Sequence, residues 1–175
     1  MTARRSLNGA IAGAIAAGVW AAQQPLDKRV FGCDHDDVEL LGKAVTRGGA
    51  WPAVGLALHM QNGAVFGAAY ASVRPLLPGP PLAWALTAAM AENFSTWPLA
   101  RLVDDHHPAR AGLTQLAGNR RALAQATWRH FLFGAVMGIV EARLNDRSAE
   151  EPPPTAVPVE SNGHGSIEDA VGATH

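Results

Sequence analysis

This sequence predicts an all-α fold, a four-helix transmembrane bundle with a disordered C-terminal tail. Three observations carry that prediction: long stretches without formal charge, glycines recurring in pairs four residues apart, and an abrupt change of composition at residue 145. Charged residues make up only 17% of the 175, below the roughly 25% of an ordinary soluble domain. Fourteen Lys and Arg stand against fifteen Asp and Glu, a net charge of −1. No basic field is present to draw nucleic acid. The single cysteine, Cys33, excludes an internal disulfide framework and a Cys-rich zinc site.

The first helix is expected near 7–26, because Ser6 to Leu26 carries no formal charge. Arg4-Arg5 followed by an apolar run also describes a signal peptide, with Val19-Trp20-Ala21 as a poor cleavage site, and the retained helix is preferred because the run exceeds a usual signal core. Residues 27–50 form a connection. Within it Asp34-His35-Asp36-Asp37 precedes Val38-Glu39-Leu40-Leu41, a pattern suited to a short interfacial helix capped by the aspartates. The second helix is expected at 51–73, inside the charge-free stretch Gly48–Val73. Pro75-Leu-Leu-Pro-Gly-Pro-Pro81 then breaks the helix and makes a tight turn, so the second and third helices should form an antiparallel hairpin.

The third helix is expected at 82–103, since from Pro75 to Ala100 only Glu92 is charged; the fourth, 122–144, follows Ala122–Val140, where Arg129 stands alone among Lys, Arg, Asp and Glu. Gly112 and Gly118 argue against one long helix through 104–121. About 20 mainly apolar residues cross a bilayer core, so all four segments qualify by length. Trp20, Trp51, Trp84, Trp97 and Trp128 sit near segment ends, where indole rings favour the bilayer interface. The helical membrane domain is therefore 1–144, and the acidic, Pro-rich tail is 145–175. That tail carries six acids against Arg147, a composition that does not build a core. The Arg pair before the first helix favours cytoplasmic termini, although counting loop charges favours the opposite.

One local pattern occurs three times: Gly9-Ala-Ile-Ala-Gly13, Gly63-Ala-Val-Phe-Gly67 and Gly134-Ala-Val-Met-Gly138, with Ala17, Ala71 or Ala142 four residues on. Glycines four apart share a helix face and allow close helix–helix approach. Plain packing is the preferred reading over a glycine-lined path.

Ionisable groups at bilayer depth are costly unless paired, so they should face the bundle interior. His59 lies mid-way along the second segment, Glu92 mid-way along the third, His130 in the first half of the fourth, and Glu141 at its close. His59 and Glu92 lie at comparable distances from the 74–81 turn and are expected to meet. Two readings stay open: interhelical hydrogen bonds that fix register, and a proton or cation relay through His59, Glu92 and His130. In the loops, Asp34, His35, Asp36, Asp104, His106 and His107 fall on one membrane face and offer donors for Zn²⁺, Mn²⁺ or Ni²⁺. Their spacing fits no known ligand motif, and helix-end charge effects account for most of them. The chain holds no GxSxG, P-loop or GxGxxG, so no catalytic residue and no cofactor is expected.

Two stretches resemble the YagU-like family of small bacterial inner-membrane proteins. They are Leu58-His59-Met-Gln-Asn-Gly-Ala-Val-Phe66-Gly-Ala-Ala-Tyr70 and Trp128-Arg-His130-Phe-Leu-Phe-Gly-Ala-Val-Met-Gly-Ile-Val-Glu141. The resemblance lies in a helix with His before small and aromatic residues, and in a last helix reading His then Glu eleven residues on. The family's longer first periplasmic loop has no counterpart here. The resemblance implies a multi-pass protein of the bacterial cytoplasmic (inner) membrane with no assigned activity, and the Ala- and Arg-rich composition suits a high-GC bacterium. The expected role is a structural or accessory membrane component packed through its glycine faces, with the lipid bilayer and a second copy or another membrane protein as partners. The alternatives are a small proton- or metal-coupled transport component and a soluble helical binding domain.

Overall fold

The computed structural model describes residues 3–150 of the chain, all helix, turn and loop. Six α-helices follow one another: α1 (Ala3–Phe31), α2 (Asp37–Val45), α3 (Trp51–Val73), α4 (Pro81–Thr96), α5 (Ala100–His106) and α6 (Arg120–Glu150). The second expected segment coincides with α3, whereas α1 and α6 run several residues past the expected ends. α6 continues through residue 150, so the tail does not begin at 145; residues 151–175 lie outside the described part.

Local chemistry sets the boundaries. Asp36 caps α2 by accepting a bond from the Glu39 amide at 2.9 Å, as the aspartate run predicts. The expected 82–103 helix is divided in two. A single 3-10 turn at Trp97–Leu99 separates α4 from α5, because Pro98 has no N–H to continue the ladder. Gly118 adopts φ +74° before α6, ending any helix through that connection. The 74–81 turn is held by Arg74, which donates to the Leu77 and Gly79 carbonyls at 2.5 Å, and by Tyr70 and Trp84, which donate to Pro81 and Pro78.

Glycine determines which helices meet. A Cβ added at Gly13 would overlap the Gly63 carbonyl, and one at Gly9 would overlap Gly67 and Ala71. These clashes place α1 antiparallel against α3 at backbone contact. Gly134 and Gly138 receive Ala85, Ala89 and Leu82 of α4, so α4 packs antiparallel on α6. Gly42 and Gly55 bring α2 onto the start of α3 in the same way. α1 also packs along α6, giving the order α3–α1–α6–α4 around the bundle. α3 and α4 run antiparallel across their turn, but they are not a closely packed pair. The expected side-by-side hairpin is therefore corrected: the seam between these two helices stands open.

The main core is small-residue and aromatic, centred on Ala12, Ala16, Trp20, Tyr70, Ala89, Phe133 and Met137. Trp20 is 5% exposed and sits inside the bundle, not at an interface as its place near a segment end suggested. Among the described residues no helix is long and apolar enough to cross a membrane. A charge-free run is not the same as an apolar one. His59, Gln61 and Asn62 interrupt α3, and Ala and Gly supply much of the rest.

Candidate functional site: a cleft between α3 and α4

The open seam forms a cleft of about 360 Å³, within the usual range of small-molecule sites. Its floor comes from α1 and α6, through Trp20, Ala126, His130 and Phe133; its walls come from α3, through His59, Asn62 and Phe66, and from α4, through Ala89, Glu92 and Asn93. Trp97 and Leu99 of the 3-10 turn close one end. Three of the polar residues expected at membrane depth thus share one cavity.

Their pairing differs from the expectation. Glu92 meets His130, not His59, with Oε2 2.5 Å from Nε2. His59 makes no hydrogen bond or ion pair with Glu92 among the described residues; it stands edge-on to Trp20, ring centroids 5.0 Å apart. Trp20 stands edge-on to His130 as well, at 4.7 Å, and so separates the two imidazoles. His59 and Glu92 lie on opposite walls of the open seam.

The His130 ring has a definite proton arrangement. Its Nδ1 lies 2.8 Å from the Ala126 carbonyl, an acceptor only, so Nδ1 carries a hydrogen. The Nε2–Oε2 contact then holds one further proton, on either atom. Glu92 is 39% exposed on the cleft side, while His130 is 15% exposed.

At the α2 end of the cleft lies a buried charge network. The Arg129 guanidinium donates to both Asp27 oxygens at 2.6 and 2.7 Å, to Asp37 at 2.7 Å and to the His35 carbonyl at 2.9 Å. Asp27 also accepts from Gln125 at 2.6 Å and from Gln23 at 2.5 Å. Burial works against ionisation of Asp37, yet His35 at 3.3 Å and Arg129 outweigh it and hold its carboxyl well below the usual carboxylate range. Asp27 and Arg129 escaped the sequence reading as a pair because 102 residues separate them. The available signal was the isolation of Arg129 in an otherwise uncharged run, since a lone charge at such a position calls for a buried partner.

The remaining expected site residues are elsewhere. Glu141 is buried at the opposite end of the bundle, 3.5 Å from Arg5 and accepting from Asn145 at 2.7 Å. The loop Asp and His residues have separate local roles. Asp36 caps α2 and pairs with Lys28, Asp104 accepts from the Leu116 and Ala117 amides, and His107 bonds the Leu40 carbonyl. His106 bonds back to Leu102, and Asp34 is exposed. Among the described residues no three His, Cys, Asp or Glu side chains are grouped to hold a metal ion, so the loop cluster expected from Asp34, His35, Asp36, Asp104, His106 and His107 does not assemble. The six glycines Gly9, Gly13, Gly63, Gly67, Gly134 and Gly138 all serve contacts within the chain.

Comparison with family models, with curated proteins and with solved structures finds no match to this chain.

Proposed function

We propose that this chain is a membrane-embedded helical bundle whose cleft handles protons, acting as a small proton-coupled binding or transport component of the bacterial inner membrane. The observation that carries the membrane part is an inversion of the usual distribution. The largest fully buried side chains include Arg129, Gln125, Glu141, Asn93 and Asp27. Outside, Leu7, Ile11, Ile15 and Val19 form a stripe along α1 that is 37% to 60% exposed, and Val65, Phe94, Phe131 and Ile139 are also exposed. Water favours the reverse arrangement. Apolarity averaged around each helix includes the inward polar residues, whereas a lipid-facing surface needs apolarity only outside.

The proton-handling part rests on the Glu92–His130 unit, with His59 across the same cleft. A metal-coupled variant has less support, because the loop aspartates and histidines are engaged separately. A role in packing against partners through the three glycine pairs also has less support, because the chain's own helices occupy those faces.

Carbonate extraction of membranes from cells expressing the chain tests the first part: the reading requires that it remain in the pellet, and release into the supernatant overturns it. For the second part, the chain is reconstituted in liposomes loaded with a pH-sensitive dye. An imposed pH difference should decay at least about tenfold faster with wild type than with Glu92→Gln, about 1.4 kcal/mol in barrier. Equal decay removes the proton role.

A further inference from the structure

Two buried polar atoms of the cleft have no hydrogen-bond partner among the described residues, the indole Nε1 of Trp20 and Nε2 of His59. Both side chains are more than nine-tenths buried, at 5% and 8% exposure, and both line the cavity. Buried donors are nearly always satisfied, so an orphaned indole N–H beside a second orphaned nitrogen indicates something that occupies the space between the walls.

We propose that the cleft binds an apolar molecule headed by a neutral oxygen, a hydroxyl or a carbonyl, with Trp20 and His59 holding the head. This deepens the reading of the cleft given above and rests on it. The indole N–H only donates, so the head must carry a lone pair, and an ammonium would leave Trp20 unsatisfied. Glu92 and Asp37 of the lining are already paired with His130 and with Arg129 and His35, and no Lys or Arg lines the cavity, so a carboxylate or phosphate head finds no cation to hold it. A hydroxyl or carbonyl oxygen accepts from Trp20 without either penalty. A hydroxyl can also donate to His59 Nε2, which is left as the acceptor because the ring's other nitrogen is bonded to the Ala17 backbone. Phe66, Phe133, Trp97 and Leu99 supply an apolar lining for the body. The mouth between α3 and α4 lets a chain longer than the cavity pass outward.

The test uses the purified full chain in detergent micelles and a photoactivatable 1-dodecanol with a diazirine in its alkyl chain. Adducts are mapped by mass spectrometry and competed with four molecules of equal tail: 1-dodecanol, dodecane, dodecanoate and dodecylammonium. Adducts should fall on α3 and the Trp97–Leu99 turn. 1-Dodecanol should displace them at about tenfold lower mole fraction than the other three, one hydrogen-bonded head in ratio terms. Trp20→Phe keeps the ring, loses the N–H, and should erase that preference. Should this variant not fold, His59→Phe supplies the same comparison. Equal competition by dodecane means an apolar slot with water on the orphaned atoms, and overturns the proposal. Stronger competition by dodecylammonium or dodecanoate overturns the choice of head. A preference that survives Trp20→Phe overturns the assignment of the holding residue, and adducts only outside the cleft overturn the site. Because binding is read in micelles, these outcomes are independent of carbonate extraction and of proton decay.

Discussion

Asp27 and Arg129 are 1% and 0% exposed, and a pair so deep responds to substitution in two opposite ways. Arg129→Ala leaves the Asp27 carboxylate buried without its cation and should cost about 3–5 kcal/mol. The double variant Asp27→Leu with Arg129→Met removes both charges and should recover most of that loss. Thermal unfolding of the purified single and double variants separates the two cases. Asp37 gives a pH signature. Its folded carboxyl titrates below the ordinary value of 3.8, so the stability it contributes is fully present above that value and is lost as pH falls through the folded one. The melting difference between wild type and Asp37→Asn should therefore shrink as the pH falls from about 5 into stronger acid. A difference that stays unchanged from about pH 5 to about pH 2 contradicts the arrangement. At this scale the sequence was informative about residue type and depth but not about pairing. His59, Glu92 and His130 were legible because each interrupts an apolar run. That Glu92 meets His130 was not, because the pairing depends on which seam of the bundle stays open. Asp27 was read as ending a helix, whereas α1 continues past it to Phe31 and carries it inside.

Each close helix contact rests on a position where a side chain beyond hydrogen has no room. Gly13→Ala sets a Cβ against the Gly63 carbonyl, and backbone cannot move aside as a flexible side chain can. A loss of at least about 1–3 kcal/mol is expected. Gly18→Ala, on the same helix, meets nothing within 4 Å and should be neutral or gain up to about 1 kcal/mol from helix propensity. Opposite shifts in unfolding temperature for these two variants would verify the assignment; equal shifts would contradict it. The glycine spacing marks the small-residue faces in the sequence, but which faces meet, with Ala71 and Ala17 set against Gly9 and Gly63, depends on the arrangement of the whole bundle. The α4 break was less readable. Trp97-Pro98 sits within an otherwise apolar, uncharged run, and charge patterning alone does not register a missing N–H.

The inverted distribution of polarity distinguishes a lipid-facing from a water-facing molecule by a single surface substitution. Ile15 is 44% exposed on the outer stripe of α1. In water, Ile15→Lys would change stability by no more than about 0.5 kcal/mol. Facing hydrocarbon near the middle of a span, it costs about 2.5–3.5 kcal/mol. The expected result is a sharp drop in the carbonate-resistant fraction of Ile15→Lys, with no such drop for the exposed loop variant Gln115→Lys.

The order of residues along the chain also fixes an order in time. During synthesis α1 emerges first and meets its partner α3 only when Gly63 and Gly67 have been added to face Gly13 and Gly9, yet the carboxylate of Asp27 has no cation until α6 is made. For the intervening interval the growing chain contains a hairpin already zipped at backbone contact and, in the same helix, a charge awaiting its counterion. A polypeptide released before residue 129 would keep that uncompensated charge permanently. Arrival of Arg129 thus serves as a completeness check on the chain, performed by the last helix upon the first.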